Sequence, residues 1–153
     1  MSGSTQGQIV SLSINPGRRQ PLDFVDSASF VTGHGIEGDR HYTDREDRAG
    51  YQVLLIDRET VDELEISVGE VRENVTTSGI DIAAIEPGQR LAIGDQVVLR
   101  ISKACPPCSR MDEIRPGLQA QLEGRRGMLA SVEQGGPVSV GDTLLVLEIA
   151  QLG

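Results

Sequence analysis

The stretch Leu91-Ala92-Ile93-Gly94-Asp95-Gln96-Val97-Val98-Leu99 gives the clearest indication of the fold. Apolar runs stand on both sides of Gly94-Asp95, a dipeptide typical of tight turns between strands. A weaker copy follows at residues 138–147, where apolar runs flank Gly141-Asp142. Both segments are therefore predicted to form a strand, a tight turn and a second strand.

Other short strands are predicted along the rest of the chain. Alternation from Gln8 to Ile14 places Val10, Leu12 and Ile14 on one face of a half-buried strand. Further strands are predicted over residues 24–31, 51–56 and 128–133, with glycine or proline in several of the connections.

Helices are expected to be short and few. Asp57 is predicted to cap a helix over residues 59–64. Prolines at 106, 107 and 116 limit residues 105–124 to short helices near Met111 and over residues 118–122.

The predicted fold class is therefore mainly β, a β-barrel with a few short helices. One domain is expected over residues 1–153, with a core from about residue 8 to 149 and a flexible tail at residues 1–7.

The composition opposes binding to polyanions and predicts an aliphatic core. The formal net charge of −9 opposes non-specific binding to nucleic acid or an anionic membrane. Only 3% of the residues are aromatic, so the core is expected to be aliphatic. Lys103 is the only lysine among 14 basic residues, and the remainder are arginines, which grip phosphate or carboxylate with two donors. The negative net charge therefore leaves room for a local site rich in arginine.

The N-terminus lacks the charged and apolar segments of a secretory signal, and no apolar run reaches the roughly 20 residues of a membrane span. The cytoplasm is the expected location. In that compartment two cysteines point to reactivity, metal binding or burial rather than a disulfide framework.

Two polar segments are candidates for ligand binding. The glycine-rich loop Gly35–His41 places Arg40 and His41 beside flexible backbone, which suits either an anion site or an ordinary charged turn. The second segment contains Arg72, Asn74 and Thr76, which suit recognition of a polar heterocycle and equally an exposed strand edge.

Cys108 is the sharpest candidate for chemistry. Arg110 and Lys103 flank it in sequence and are expected to favour its thiolate, the form needed for sulfur transfer or metal ligation. Burial as a small apolar side chain is the alternative. The Cys-x-x-Cys spacing with Cys105 also allows a redox pair, or a zinc site completed by His34 and His41.

Arg125 and Arg126 stand between glycines just before a predicted strand. Adjacent side chains on extended backbone point to opposite faces, so at most one of the pair is expected to line a site. A charged turn is the alternative interpretation.

Taken in order, these segments resemble the MOSC family, named for the C-terminal domain of molybdenum cofactor sulfurases. The resemblance spans about residues 8–149, and the matching pieces follow one another along the chain. They are Gly35–His41, Arg72-Glu73-Asn74 with Thr76, Thr77 and Gly79, Pro87-Gly88 with Leu91, Ile93, Gly94 and Asp95, Pro107-Cys108 with Met111, Gly124–Gly127, and Val140-Gly141-Asp142.

The resemblance implies a MOSC-type barrel, similar to the pyruvate-kinase barrel, and the molybdenum cofactor (molybdopterin) as ligand. Cys108 matches the family cysteine that ligates molybdenum or carries sulfur. Longer relatives add a pyridoxal-phosphate-dependent desulfurase or a second barrel domain, and some reduce N-hydroxylated compounds. Cys105 is not required by the family pattern.

The resulting hypothesis is a molybdenum-cofactor-dependent oxidoreductase or sulfurtransferase. Arg40, Arg72 and one of Arg125 or Arg126 would offset the cofactor phosphate, while Asn74 and His41 would orient the pterin or a small-molecule substrate. An electron-transfer reductase or a cysteine desulfurase is the expected partner. A non-catalytic sulfur or cofactor carrier is the alternative, followed by a zinc-stapled binding module.

Overall fold

A computed structural model describes residues 5–147, which form eleven strands and a few short helices. The strands are β1 (Gln6–Ile14), β2 (Asp23–Val25), β3 (Ser27–Val31), β4 (Gly35–Ile36), β5 (Val53–Asp57), β6 (Val75–Ser78), β7 (Arg90–Ile93), β8 (Val97–Ala104), β9 (Met128–Gln134), β10 (Gly136–Ser139) and β11 (Thr143–Leu147). The helices are α1 (Arg58–Glu63), α2 (Met111–Ile114) and α3 (Leu118–Gln121), with 3₁₀ turns at Glu46–Tyr51 and Ile82–Ala84.

Seven strands close into a barrel in the order β1, β11, β7, β8, β9, β5, β6. All of its pairings are antiparallel except β5 with β6, which run parallel. Strand β2 extends the sheet by pairing with the end of β1, and β10, β3 and β4 form a separate three-stranded sheet. Closure leaves the barrel strands without free edges, and the predicted mainly β fold is confirmed.

Aliphatic side chains fill the barrel, as the composition predicts. A second, smaller cluster lies outside it, where Val61 and Val71 pack with Met111, Leu118 and Leu122. This cluster anchors α2 and α3 beside α1. It therefore holds the proline-rich connection from β8 to α2, which carries both cysteines, against the barrel.

Strand β1 differs from the predicted alternation. Its register shifts between Ile9 and Ser11, so Ile9 and Leu12 are the fully buried apolar residues while Val10 is only half-buried. A β-bulge reverses the facing of the residues beyond it, which a strict period of two does not anticipate. The strand also begins at Gln6, inside the predicted tail, because Gln6 and Gly7 pair with β11.

The two Gly-Asp turns have different partners. The first joins β7 to β8 as the predicted hairpin. At the second, the chain passes from the three-stranded sheet to the barrel, so β10 pairs with β3 while β11 pairs with β7 and β1. The turn itself bonds to β1, since Gly141 N donates to Ile9 O and Ile9 N donates to Asp142 O. The Gly141-Asp142 turn therefore helps to close the barrel against β1.

The helix predictions are confirmed. Asp57 Oδ2 accepts from Thr60 N at 3.1 Å and caps α1, and α2 and α3 lie at the two predicted places. Within residues 5–147 no helix is long and apolar enough to cross a membrane. The predicted core limit at residues 148–149 and tail residues 1–4 lie outside the described residues.

Gly127 is expected to be indispensable because its backbone has φ of +115° and an added Cβ would lie 2.5 Å from Leu55 O on the neighbouring β5. We expect Gly127→Ala to lower the free energy of unfolding by about 2–4 kcal/mol through backbone strain and steric overlap. Urea denaturation measures the change.

Gly124→Ala is the matched control, since Gly124 also has positive φ (+76°) but nothing lies within 4 Å of its added Cβ. Strain alone predicts a loss of about 1 kcal/mol. Equal losses in the two variants would contradict the close packing of Gly127 on β5.

Candidate functional site

A pocket of about 290 Å³ lies where several connections meet at the barrel. Its side chains come from several parts of the chain. Among these are the end of β1, the glycine-rich loop, the 3₁₀ turn before β5, the segment before β6 and the segments on either side of α2 and α3. Five arginines line it: Arg40, Arg48, Arg72, Arg110 and Arg126. Within residues 5–147 no aspartate or glutamate lines it. The predicted local basic site is therefore present in this acidic chain.

Arg126 is the most buried of these arginines, with 8% of its surface exposed. Its Nε and Nη1 atoms are buried without a hydrogen-bond partner in the part of the chain that the structure describes. An unpaired charged donor in the interior is costly, typically about 1–3 kcal/mol or more. Since Arg126 lines the pocket, these donors are available to an anion there.

Arg72 is held in position by its backbone and by its side chain. Its φ of 67° lies in the left-handed region, which is uncommon for a residue other than glycine. Its Nη2 donates to Asn15 Oδ1 at 3.0 Å and to Gly17 O at 3.1 Å. Burial and the charges of Arg110 and Arg40 lower the pKa of Arg72, which shows that cations crowd this wall.

The carboxylate of Asp39 ties together the segments beneath the pocket. Its Oδ1 accepts from Asn15 N at 2.7 Å and from Asn74 Nδ2 at 2.9 Å. Its Oδ2 accepts from His41 N at 3.0 Å and lies 3.2 Å from His41 Nδ1. Burial acts to raise the pKa of Asp39, but the hydrogen bonds and charge of His41, together with the Asn15 amide, lower it overall.

Glu73 is a second buried carboxyl near the pocket. Its Oε2 accepts from Gly69 N and from Thr76 Oγ1, both at 2.9 Å, while its Oε1 has no partner among the described residues. Burial raises the pKa of Glu73, and the charge of Arg126 partly opposes that rise.

The two cysteines are both free thiols and face different cavities. Half-buried Cys105 lines the main pocket. Exposed Cys108 lines an adjoining depression of about 210 Å³, which shares Arg72, Arg110 and Arg126 with the main pocket. The pKa of Cys105 is raised by burial, with Arg126 and Lys103 opposing. The same three guanidinium groups thus border both thiols.

The Tyr51 phenol lines another side of the main pocket and contacts Lys103, the chain's only lysine. Lys103 Nζ donates to Tyr51 Oη, and both Lys103 and Arg48 lie over the Tyr51 ring. The hydrogen bond and charge of Lys103 lower the pKa of Tyr51.

The structure brings most of the predicted site residues together. Arg40, His41, Arg72, Asn74 and Arg126 line the main pocket, and Cys108 lies in the depression beside it. The expectation that at most one arginine of the 125–126 pair lines the site agrees with this geometry, because Arg125 Nη2 donates to Glu63 Oε2 at 2.5 Å beside a separate cavity.

Two residues have structural bonds in place of the expected ligand contacts. Asn74 Oδ1 accepts from Leu54 N, and its Nδ2 donates to Ser13 O and Asp39 Oδ1, so its amide donors are committed. Thr76 is buried and donates to Glu73. Both side chains therefore hold together the segments that carry the pocket residues.

The zinc alternative is wrong for the described residues. Among residues 5–147 no three His, Cys, Asp or Glu side chains come together to hold a metal ion. His34, one of the expected ligands, stacks on Tyr42 and its Nδ1 lies 3.0 Å from Thr32 O.

Sequence reasoning missed three parts of the site. Asp39 stood within the glycine-rich motif, next to Arg40, but had no assigned role. Arg48 and Tyr51 lie in the 3₁₀ turn Glu46–Tyr51, although the sequence predicts a strand beginning at Tyr51, and no local pattern places either residue at a pocket.

Comparisons with known proteins agree with this architecture. The sequence model of one family, the MOSC domain, matches residues 37–145. The crystal structure of the YuaD protein from Bacillus subtilis is similar with a TM-score of 0.77 and 19% identity, over 92% of this chain and 95% of that one. No curated protein matches the chain in sequence.

YiiM proteins are also similar. For YiiM from Geobacillus stearothermophilus the TM-score is 0.73 at 18% identity, over 93% of this chain and 75% of that one. For YiiM from Escherichia coli it is 0.67 at 18% identity, over 92% and 70%. At these identities the likeness shows the fold alone.

The Asp39 network predicts a distinctive pH dependence. Because the folded-state pKa of Asp39 is lowered, its ionised form stabilises the fold above its ordinary pKa of 3.8, and that stability is lost as the pH falls through the lower folded value. We expect Asp39→Asn to lower the free energy of unfolding by about 2–4 kcal/mol at pH 7. The deficit should shrink below about pH 4.

Glu73→Gln is the matched comparison with the opposite slope. Since the folded-state pKa of Glu73 is raised, the wild type loses stability relative to this variant as the pH rises through that value. Urea denaturation from pH 3 to 7 measures both variants. A deficit of Asp39→Asn that does not change with pH would contradict an ionised, bonded Asp39.

Proposed function

Because this chain belongs to the MOSC domain family, we propose that its arginine-lined pocket binds the molybdenum cofactor, an anionic pterin, and that its cysteines serve the sulfur or metal chemistry of that cofactor. The observation that carries the proposal is the buried guanidinium of Arg126, which has no partner among residues 5–147 and lies in a pocket lined by four further arginines.

The residues present fit an anionic ligand of this kind. Five guanidinium groups in one pocket repel one another, and a phosphate-bearing ligand would offset that repulsion. The formal net charge of −9 makes this concentration of positive charge a local feature and not a property of the whole surface. The main pocket is near the lower end of ligand pockets in size, and the adjoining Cys108 depression, which shares three of its arginines, enlarges the available space.

Within the proposal, Arg126, Arg72 and Arg110 hold the anionic part of the cofactor, since they line both the main pocket and the Cys108 depression. Thiolate is a soft ligand and suits molybdenum or sulfur better than carboxylate does. When bound, the cofactor supplies a metal centre that exchanges electrons with a substrate.

The proposed reaction is the reduction of an N-hydroxylated compound with electrons from a separate reductase. Two electrons and two protons convert the N–OH group to N–H and release water. Tyr51 lines the pocket and accepts a hydrogen bond from Lys103. We assign to Tyr51 the donation of a proton to the departing oxygen and to Lys103 the support of the resulting phenolate. The hydrogen bond and charge of Lys103 lower the pKa of Tyr51, which makes its phenol a stronger proton donor.

A sulfur carrier is the second candidate, and the exposure of Cys108 favours it. A thiol on the surface is accessible to a partner desulfurase, which must present its persulfide directly. Assaying the cofactor-loaded chain with benzamidoxime and a chemically reduced viologen separates the two, because an enzyme reduces the substrate and a pure carrier does not.

Cofactor content tests the proposal. The chain, produced in a host that makes the cofactor, is expected to contain molybdenum and pterin, measured by elemental analysis and by fluorescence of the oxidised pterin. Arg126→Met should lower both by at least about tenfold, because a charged hydrogen bond contributes about 1.5–3 kcal/mol. Cys108→Ala should lower molybdenum more than pterin if the thiolate ligates the metal.

Arg58→Met is the control, since Arg58 forms an exposed i,i+4 pair with Asp62 on α1. Arg126→Lys checks folding, because it keeps the buried charge and loses only the two-pronged donor. Absence of molybdenum and pterin from the wild type, or equal contents in the wild type and Arg126→Met, would reject the proposal.

A further inference from the structure

An outer pocket of about 260 Å³ adjoins the main pocket. Its walls include three arginines, Arg40, Arg45 and Arg48, together with His41 and Tyr51. Among the described residues no carboxylate lines it. It is therefore a second basic cavity that the binding of the cofactor does not account for.

The outer and main pockets share walls. Arg40, His41, Arg48 and Tyr51 line both cavities, so a ligand in one is in reach of the other. Arg45 lines the outer pocket and is absent from the walls of the main pocket. Arg45 is thus the basic residue that distinguishes the two.

The nearby carboxylates do not neutralise the outer pocket fully. Both oxygens of Asp39 are committed to Asn15, Asn74 and His41. Asp47 holds Arg45 in a two-pronged pair, with Oδ1 3.1 Å from Nε and Oδ2 2.7 Å from Nη2.

The Arg40 side chain has no hydrogen-bond or ion-pair partner among residues 5–147, and the Arg48 side chain lies over the Tyr51 ring. Two of the three guanidinium groups therefore keep their donors for a ligand.

The arginines of the whole site fall into two groups. Arg72, Arg110 and Arg126 surround the cysteines, and none of them lines the outer pocket. We propose that the first group serves the cofactor and that the outer pocket binds an anionic group, a phosphate or carboxylate, on the substrate. This inference rests on the proposed function, and it makes the chain selective for anionic substrates over neutral ones.

The pocket geometry explains how such selection would work. Guanidinium groups recognise phosphate and carboxylate with paired, charge-assisted hydrogen bonds. The anionic end of a substrate would lie near Arg45 while its reacting end reaches past Tyr51 into the main pocket. A neutral substrate would gain contacts only in the main pocket.

Two probes that differ by one carboxylate test the inference: benzamidoxime and 4-carboxybenzamidoxime. Their dissociation constants are measured by calorimetry on the cofactor-loaded chain without an electron donor, so that no turnover occurs. We expect the wild type to bind the carboxylated probe at least tenfold more tightly. Arg45→Met should reduce this preference to threefold or less, with unchanged affinity for benzamidoxime and unchanged pterin content.

Arg58→Met is the matched control, because Arg58 also forms an exposed ion pair but lines neither pocket, and it should keep the wild-type preference. Equal affinity for the two probes in the wild type, no binding of either, or an unchanged preference in Arg45→Met would overturn the inference. Loss of pterin from Arg45→Met would also overturn it by assigning the outer pocket to the cofactor.

Failure of the proposed function is distinguishable from failure of this inference, because it appears as a wild-type protein that contains neither pterin nor molybdenum. The two probes are then compared on the same purified chain. A carboxylate preference that depends on Arg45 would support an anion site in the outer pocket even then, whereas its absence would remove both claims.

Discussion

The buried carboxylate of Asp39 fixes the frame of the functional site. It joins the end of β1, the glycine-rich loop and the segment before β6 through Asn15, His41 and Asn74. Burying a carboxylate opposes folding, and the donors that surround it offset that cost. Arg40 follows Asp39 directly, and Arg72 donates to Asn15. The same network therefore fixes the positions of two of the pocket arginines.

A rigid frame is needed because the pocket concentrates like charges. Burial, and then the charges of Arg110 and Arg40, disfavour the charged form of Arg72. Arg126 has buried donors that find no partner in the described part of the chain. These features lower stability in the free chain, and the closed barrel and its aliphatic core support them. An anionic ligand would relieve both costs, so the unfavourable interactions lie where the ligand is proposed to bind.

The sequence allows the fold to be predicted well because its signals are local. Gly-Asp turns between apolar runs and proline-limited helices depend on neighbouring residues, and Asp57 caps α1 as expected. The bulge at Ile9 to Ser11 could not be anticipated, because it depends on pairing with β6, a distant segment. The MOSC resemblance itself rests on motifs that are visible in order along the chain, and the family is shown by the match over residues 37–145.

The site was only partly predictable, for the same physical reason. Residue type identified Arg126 and Cys108 as candidates, but only tertiary structure separates Arg126 from Arg125 or commits the amide of Asn74 to the interior. Cys105, which the family pattern does not require, is the cysteine that lines the main pocket.

The central claim is that this pocket holds the anionic pterin, and native mass spectrometry tests it most directly. The chain is purified from a host that makes the molybdenum cofactor and from one that cannot. The account predicts a species heavier by the mass of the cofactor in the first preparation only. Identical masses in both preparations would contradict it.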